Sequence, residues 1–301
     1  NYDAGPYSVL KNNEFLITDP LQDREIKLRI IYPDAEGPFP VVVFSTGAFC
    51  SPQLYDRILD HWVSNGYIVV QPNHMDSPNN DRFPTMDELN NLFPTRMRDV
   101  SFILNSLDQI ESGMNIQGRI QKDQLAISGH SFGAVISMVK TGLQLKPEAQ
   151  GEFGPIYDDR FKAAVLLSGV GDGMDEFADN PFDGLRKPFI ATGGSKDIGR
   201  VRPDKGMDGR QWRMQPYLLA PDLDKFSLIT DGSDHYLGGL ICNAEMGGKP
   251  DPESLAIVRA VTNVFLDAYL KNDEEALNYL KTADIQSLTG GRTAYIFNMK
   301  E

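Results

Sequence analysis

At 301 residues the chain is long enough to bury a large core without staples, and 41% hydrophobic with 24% charged residues is an ordinary globular balance. A net charge of −13, from 29 basic and 42 acidic residues, argues against nucleic acid as a partner, because phosphates favour clustered Lys and Arg. No run of 18 or more apolar residues occurs, so no membrane span is expected.

The chain opens Asn1-Tyr2-Asp3, without an initiator Met or a signal-peptide pattern. We read this as an exported (secreted or periplasmic) protein whose leader is gone, with a cytoplasmic one as the alternative. Two stretches, Glu14–Thr18 and Ile26–Ile31, alternate or run apolar around the polar, turn-like 19–24, which predicts an opening β-hairpin. Val41–Phe44 is a short apolar run of the kind buried on both faces of a parallel sheet. Tyr55 to Ser64 has helical spacing and ends at Asn65-Gly66, and Tyr67–Val70 reads as the next strand. Arg96 to Leu107 carries Val100, Ile103, Leu104 and Leu107 on one helical face. Leu125–Ser128 is a strand, followed by a helix from Phe132 to about Leu143. Ala163–Leu167, Phe189–Thr192 and Phe226–Ile229 complete the strands, and an amphipathic helix covers about 252–271.

Alternating strands and helices predict right-handed crossovers, a mainly parallel sheet with helices on both faces, and a site at the carboxyl ends of its strands. One domain over 1–301 is expected, with 282–301 as an extension holding a candidate extra strand at 293–297. Three stretches, 75–94, 146–159 and 198–221, read as long polar loops. The first and third follow strand ends and would rim a cleft, while the second would lie away from it; a mobile connection alone is the competing reading for each.

The segment Gly129-His130-Ser131-Phe132-Gly133 fits G-x-S-x-G between an apolar strand and a helix. This resembles the nucleophile elbow of α/β-hydrolases, in which a strained turn projects the Ser hydroxyl and the flanking small residues avoid backbone clashes. In that fold the order is Ser, acid, His. Of the four histidines only His235 lies downstream of Ser131, in a Gly-rich loop after the last apolar strand, so it is the expected base. Asp197, just past Phe189–Thr192, leads as the acid that would hold His235, with Asp172 and Asp175 as rivals. Asp231 and Asp234 stand too close to His235 in the chain to orient its ring. For the oxyanion, the N–H of Phe132 is one expected donor, and Ala48 after Gly47 the other, with Phe49 as its alternative. Phe49, Phe132, Tyr236 and His130 are expected to line a substrate pocket; packing into the core is the competing reading for the first three. Cys50 and Cys242 follow loops that should reach the same face; buried free thiols are favoured slightly over a disulfide.

The elbow, the segment Arg96-Met97-Arg98-Asp99-Val100 and the segment Asp234-His235-Tyr236-Leu237-Gly238-Gly239 together resemble the predicted dienelactone-hydrolase and platelet-activating-factor-acetylhydrolase-like group. Similarity to cutinase-like polyester hydrolases is weaker. The resemblance spans roughly Glu25 to Leu270 and implies an α/β-hydrolase fold. Dienelactone hydrolases use a Cys nucleophile where this chain has Ser131. The acetylhydrolases carry their acid where Ser168 stands, which moves that role to Asp197. Many relatives have His-Gly where this chain has Thr46-Gly47. The expected activity is serine-dependent carboxylic-ester hydrolysis, on a small-molecule or polymeric ester, without a metal or cofactor. Polyester hydrolysis, thioesterase, amidase or acyltransferase chemistry on the same triad, and an inactive binding protein of the same fold are the alternatives.

Overall fold

The computed structural model describes residues 3–21, 23–151, 156–198 and 209–300. Its strands are β1 (Val9–Asp19), β2 (Arg24–Pro33), β3 (Phe39–Ser45), β4 (Ile68–Pro72), β5 (Ile120–His130), β6 (Phe161–Leu167), β7 (Phe189–Gly194), β8 (Lys225–Thr230) and β9 (Thr293–Asn298). Its helices are α1 (Asp56–Ser64), α2 (Met86–Asn90), α3 (Leu92–Asn105), α4 (Leu107–Gly113), α5 (Phe132–Lys140), α6 (Pro147–Gln150), α7 (Gly209–Leu219), α8 (Pro252–Leu270), α9 (Glu274–Thr282) and α10 (Ile285–Leu288). Each apolar run read as a strand is one.

The strands form one sheet in the order β1-β2-β4-β3-β5-β6-β7-β8-β9. The six from β4 to β8 run parallel, while β1 and β2 form the expected antiparallel hairpin and β2 meets β4 antiparallel. The tail supplies β9, antiparallel to β8, whose Tyr295 and Phe297 stack on Phe226 with ring centroids 6.4 and 6.2 Å away. This is the α/β-hydrolase fold.

Consecutive residues of a strand point to opposite faces, and here both faces are covered. In β3, Val41 and Val43 face a layer built from α3, α4 and α5 through Val100, Ile103, Ile110, Val135, Ile136 and Val139. Val42 and Phe44 face the other layer, where α1 and α8 bring Ile58, Leu59, Trp62, Val258 and Phe265. Fully burying one such side chain is worth about 1.5–3 kcal/mol, so the strand ends are held by a stiff double-sided core.

The stretches expected to be loops contain helices. In 75–94, α2 is closed by a capping box: Thr85 accepts from the Glu88 amide, and Glu88 accepts from the Thr85 amide. Helix α3 begins at Leu92 and runs through Pro94, which a helix accommodates in its first turn because those amides have no intrahelical partner. A short α6 lies in 146–159, of which 152–155 fall outside the described residues. In 198–221, residues 199–208 fall outside them as well, and most of the rest is α7.

Candidate active site

The parallel register brings the carboxyl ends of the strands to one edge: Ser45 pairs with Gly129, His130 with Leu167, Leu167 with Thr192, and Gly194 with Thr230. The segments leaving β3, β5, β7 and β8 carry Ala48, Ser131, Asp197 and His235 in turn. At the end of β5 the chain turns through Ser131 at φ 54° and ψ −115° directly into α5. A left-handed φ on a non-Gly residue is strained, and it is retained here by tight surroundings. A Cβ on Gly133 would sit 1.9 Å from the Ser45 carbonyl oxygen, and one on Gly129 would sit 2.3 Å from Gly133 backbone. Only glycine fits at either place. The Ser131 amide donates to the Leu167 carbonyl at 3.0 Å, tying the turn to β6.

The residues expected as base and acid meet. His235 Nδ1 lies 3.0 Å from Asp197 Oδ1. Asp197 is buried, and its pKa is held at about 2. Burial pushes that pKa up, but the hydrogen bond from His235 and the Arg213 guanidinium outweigh it. The rival carboxylates Asp172 and Asp175 make no contact with His235 among the described hydrogen bonds. Asp234 shapes the loop instead. Its carboxylate accepts from the amides of Tyr236, Gly238 and Gly248 at 2.9, 2.8 and 2.6 Å, folding the segment that presents His235. Among the described residues no hydrogen bond joins Ser131 to His235; such bonds are often open before substrate binds.

Arg213, on α7, joins this pair, and the sequence analysis did not single it out. Its Nη2 lies 2.9 Å from Asp197 Oδ1 and 3.1 Å from His235 Nδ1, and its Nη1 donates to the carbonyls of Ser168 and Gly169 at 3.0 Å each. The segment read as a polar loop, so nothing in its pattern aimed this residue at the site.

His130 corrects an expectation. It is fully buried and does not line a substrate pocket. The Gly47 amide donates to Tyr55 Oη at 2.9 Å, Tyr55 Oη donates to His130 Nδ1 at 3.0 Å, and His130 Nε2 donates to the His235 carbonyl at 2.9 Å. This chain requires a neutral imidazole protonated at Nε2, and burial, with the nearby His235, pushes the His130 pKa well down. His130 thus ties the loop after β3 to the loop that carries His235, and its ring lies 4.6 Å from the His235 ring.

In the loop after β3, the Phe49 amide donates to Asp76 Oδ2 at 3.0 Å and is therefore spent. That removes it as the alternative oxyanion donor and leaves Ala48, which is exposed at the turn. Arg96, buried on α3, sets the turn. It forks onto Asp76 through three contacts of 2.7–3.0 Å and donates to the carbonyls of Thr46 and Gly47 at 2.6 and 3.1 Å. Its guanidinium also lies 4.7 Å from the centre of the Phe132 ring. Phe132 is half-buried, its ring packed on Phe93 at 5.4 Å, and its amide opens α5. Beneath Arg96 a second Ser-His-Asp chain, Ser45–His74–Asp99, is linked by contacts of 2.8 Å each, but all three side chains are fully buried, so it serves the frame.

The two cysteines correct the other expectation: Cys50 and Cys242 form a disulfide with Cα atoms 5.2 Å apart. It fastens the loop after β3 to the segment following His235. At the rim, Phe49 is 48% exposed and stacks on Phe83, 70% exposed, with centroids 5.8 Å apart and planes 5° from parallel. Tyr236 is half-buried, 4.9 Å from the His235 ring. Among the described residues, no group of three or more His, Cys, Asp or Glu is placed to hold a metal ion, and no helix is long and apolar enough to cross a membrane.

The family model described as chlorophyllase matches residues 2–146. The match covers the sheet from β1 to β5, the loop with Ala48 and the turn with Ser131, and it ends before Asp197 and His235. It agrees with the α/β-hydrolase superfamily and points to ester hydrolysis, naming chlorophyllase where the sequence suggested the dienelactone-hydrolase and acetylhydrolase-like group. No curated protein gives a match.

Proposed function

We propose that this protein is a serine-dependent carboxylic-ester hydrolase working through an acyl-enzyme. The observation that carries the reading is the strained Ser131 turn at the head of α5, with a buried, ionised Asp197 holding His235 on the same sheet edge. In this reading Ser131 Oγ attacks the ester carbonyl carbon as His235 Nε2 takes the hydroxyl proton. The developing oxyanion accepts from the amides of Phe132 and Ala48. The carbon–oxygen bond breaks, and His235 passes its proton to the departing alkoxide. Water, deprotonated by His235, then attacks the acyl carbon, releases the carboxylic acid and restores Ser131. Asp197 fixes the Nδ1–H tautomer and stabilises the imidazolium.

The exposed Phe49–Phe83 stack beside Ala48 supports esters with an apolar or aromatic group on one side of the bond. The disulfide supports export into an oxidising compartment. The test is a panel of p-nitrophenyl esters of increasing acyl length, a polyester film and chlorophyll, each with Ser131→Ala alongside. Turnover that rises from acetyl to longer acyl groups and vanishes in Ser131→Ala supports the reading. Equal rates for the two proteins on every ester refute it, and thioesters or amides cleaved in preference would move the activity to that bond.

A further inference from the structure

We infer that Arg213 is a positioning residue of the site, which locks the acid to the ends of two strands and opposes protonation of His235. The inference rests on the assignment of His235 and Asp197 above. Three observations carry it. The Arg213 side chain is 7% exposed, so its charge acts with little screening from water. One guanidinium edge binds the carbonyls of Ser168 and Gly169 just past β6, and the other reaches Asp197 Oδ1 beyond β7, so a single planar group spans two strand ends. The same Nη2 lies 3.1 Å from the imidazole nitrogen that faces the acid.

Two neighbours of Arg213 on α7 build the placement. Trp212 Nε1 donates to the Asp172 carbonyl at 2.9 Å, and Gln215 Oε1 accepts from the Asp172 amide at 2.6 Å. Both seat the helix on the loop after β6, with Arg213 between them turned towards the triad. The Ser168 position itself is held at a left-handed φ of 50°, its amide bonded to the Thr192 carbonyl at 3.0 Å and its own carbonyl to Arg213.

A carboxylate and a guanidinium on the same side of an imidazole act against each other. Asp197 favours the imidazolium; Arg213 disfavours it and also shares the carboxylate oxygen that would stabilise it. The other groups facing the ring change less with pH or point elsewhere. His130 is buried and committed as a neutral bridge, Tyr236 is a phenol packed edge-on, and the Asp234 carboxylate is spent on three amides. Since a base must be neutral to take the Ser131 proton, removing the Arg213 charge should hold His235 protonated to higher pH. A like charge this close moves such a midpoint by about one unit or more, about tenfold in proton occupancy.

The test uses the full chain as Arg213→Met, Arg213→Gln and Arg213→Lys. The His235 ring proton signals, identified by their loss in His235→Gln, are followed by NMR from pH 4 to 9, and kcat/KM for a p-nitrophenyl ester is measured over the same range. The inference expects the NMR midpoint and the acid limb of kcat/KM to rise together by about one pH unit in Met and Gln. Lys, which keeps the charge without the fork, leaves the midpoint in place and lowers kcat. Gln keeps hydrogen-bond donors at the position, so it answers the question if Met does not fold. A midpoint unmoved in Gln, whatever happens to the rate, overturns the inference. A midpoint that moves in a protein cleaving no ester sustains the inference about Arg213 and rejects the ester-hydrolase reading instead.

Discussion

Replacing Arg96 should uncouple stability from catalysis in a measurable way. The Arg96 and Asp76 side chains are 1% and 0% exposed, and the guanidinium carries three contacts to that carboxylate and two to the carbonyls of the turn bearing Ala48. Arg96→Met leaves a buried, unpaired carboxylate and strips the guanidinium from the Thr46 and Gly47 carbonyls, of which Gly47 keeps the Cys50 amide at 3.3 Å. Breaking a buried pair from one side costs about 3–5 kcal/mol, a large share of a typical domain's stability of about 5–15 kcal/mol. Arg96→Lys keeps the charge but cannot fork, so it should lose about 1–3 kcal/mol and still fold. In both variants the Ala48 amide loses its fixed direction, and a lost oxyanion donor costs about 10²–10³ in kcat. Urea unfolding followed by Trp fluorescence reads the first quantity, and kcat with p-nitrophenyl butyrate reads the second. Adding Asp76→Asn to Arg96→Met should recover part of the stability, by removing the stranded charge, without recovering kcat. An Arg96→Lys protein with the kcat of the parent would refute the idea that this fork aims Ala48.

Three further outcomes follow from the same structure. The Asp197 pKa is held at about 2 against 3.8 for a free side chain, so this group contributes stability that is present above pH 4 and is lost as pH falls towards 2. The contribution is about 2 kcal/mol; Asp197→Asn should flatten the unfolding free energy between pH 4 and 2 by that amount, while lowering kcat at pH 7 about 10⁴-fold. Reducing the Cys50–Cys242 bond, or making Cys242→Ala, should cost about 2–5 kcal/mol in urea unfolding, and reduced protein as stable as oxidised protein would argue against the bond. Phe83→Ala should raise KM for long or aromatic esters several-fold while leaving short acetyl esters nearly unchanged, because the removed ring stacks at the rim and touches no reacting group. An equal effect on both ester types would contradict that placement.

The parallel strands were readable because each is a short apolar run covered on both faces, and such runs have few other homes. Ser131 was readable for a local reason: the turn leaves no room for a Cβ two residues to either side, so the two glycines stand in the sequence as a signature. His235 followed from chain order, since only one histidine lies downstream. Arg213 was hidden because its helix is polar on average and contains Pro216, so the stretch reads as a loop, and its partners lie at separations that no spacing rule covers. Arg96 stood inside a recognised segment, yet its partners Thr46, Gly47 and Asp76 are 20–50 residues away and become neighbours only when the sheet forms. Helix α2 was the avoidable omission, because Thr85 and Glu88 stand at the spacing of a capping box. His130 misled because a polar residue inside the elbow looks exposed in sequence, whereas the turn carries the hydroxyl of Ser131 outward and the imidazole inward.

The most direct test of the central claim is covalent. Incubating the protein with a fluorophosphonate and mapping the adduct by mass spectrometry asks whether Ser131 is a nucleophile at all. The account predicts stoichiometric labelling of Ser131 at pH 7, loss of ester turnover in step with it, and labelling slowed at least a thousandfold, to an order of magnitude, in His235→Gln. Label on another serine, or undiminished hydrolysis by fully labelled protein, would contradict it.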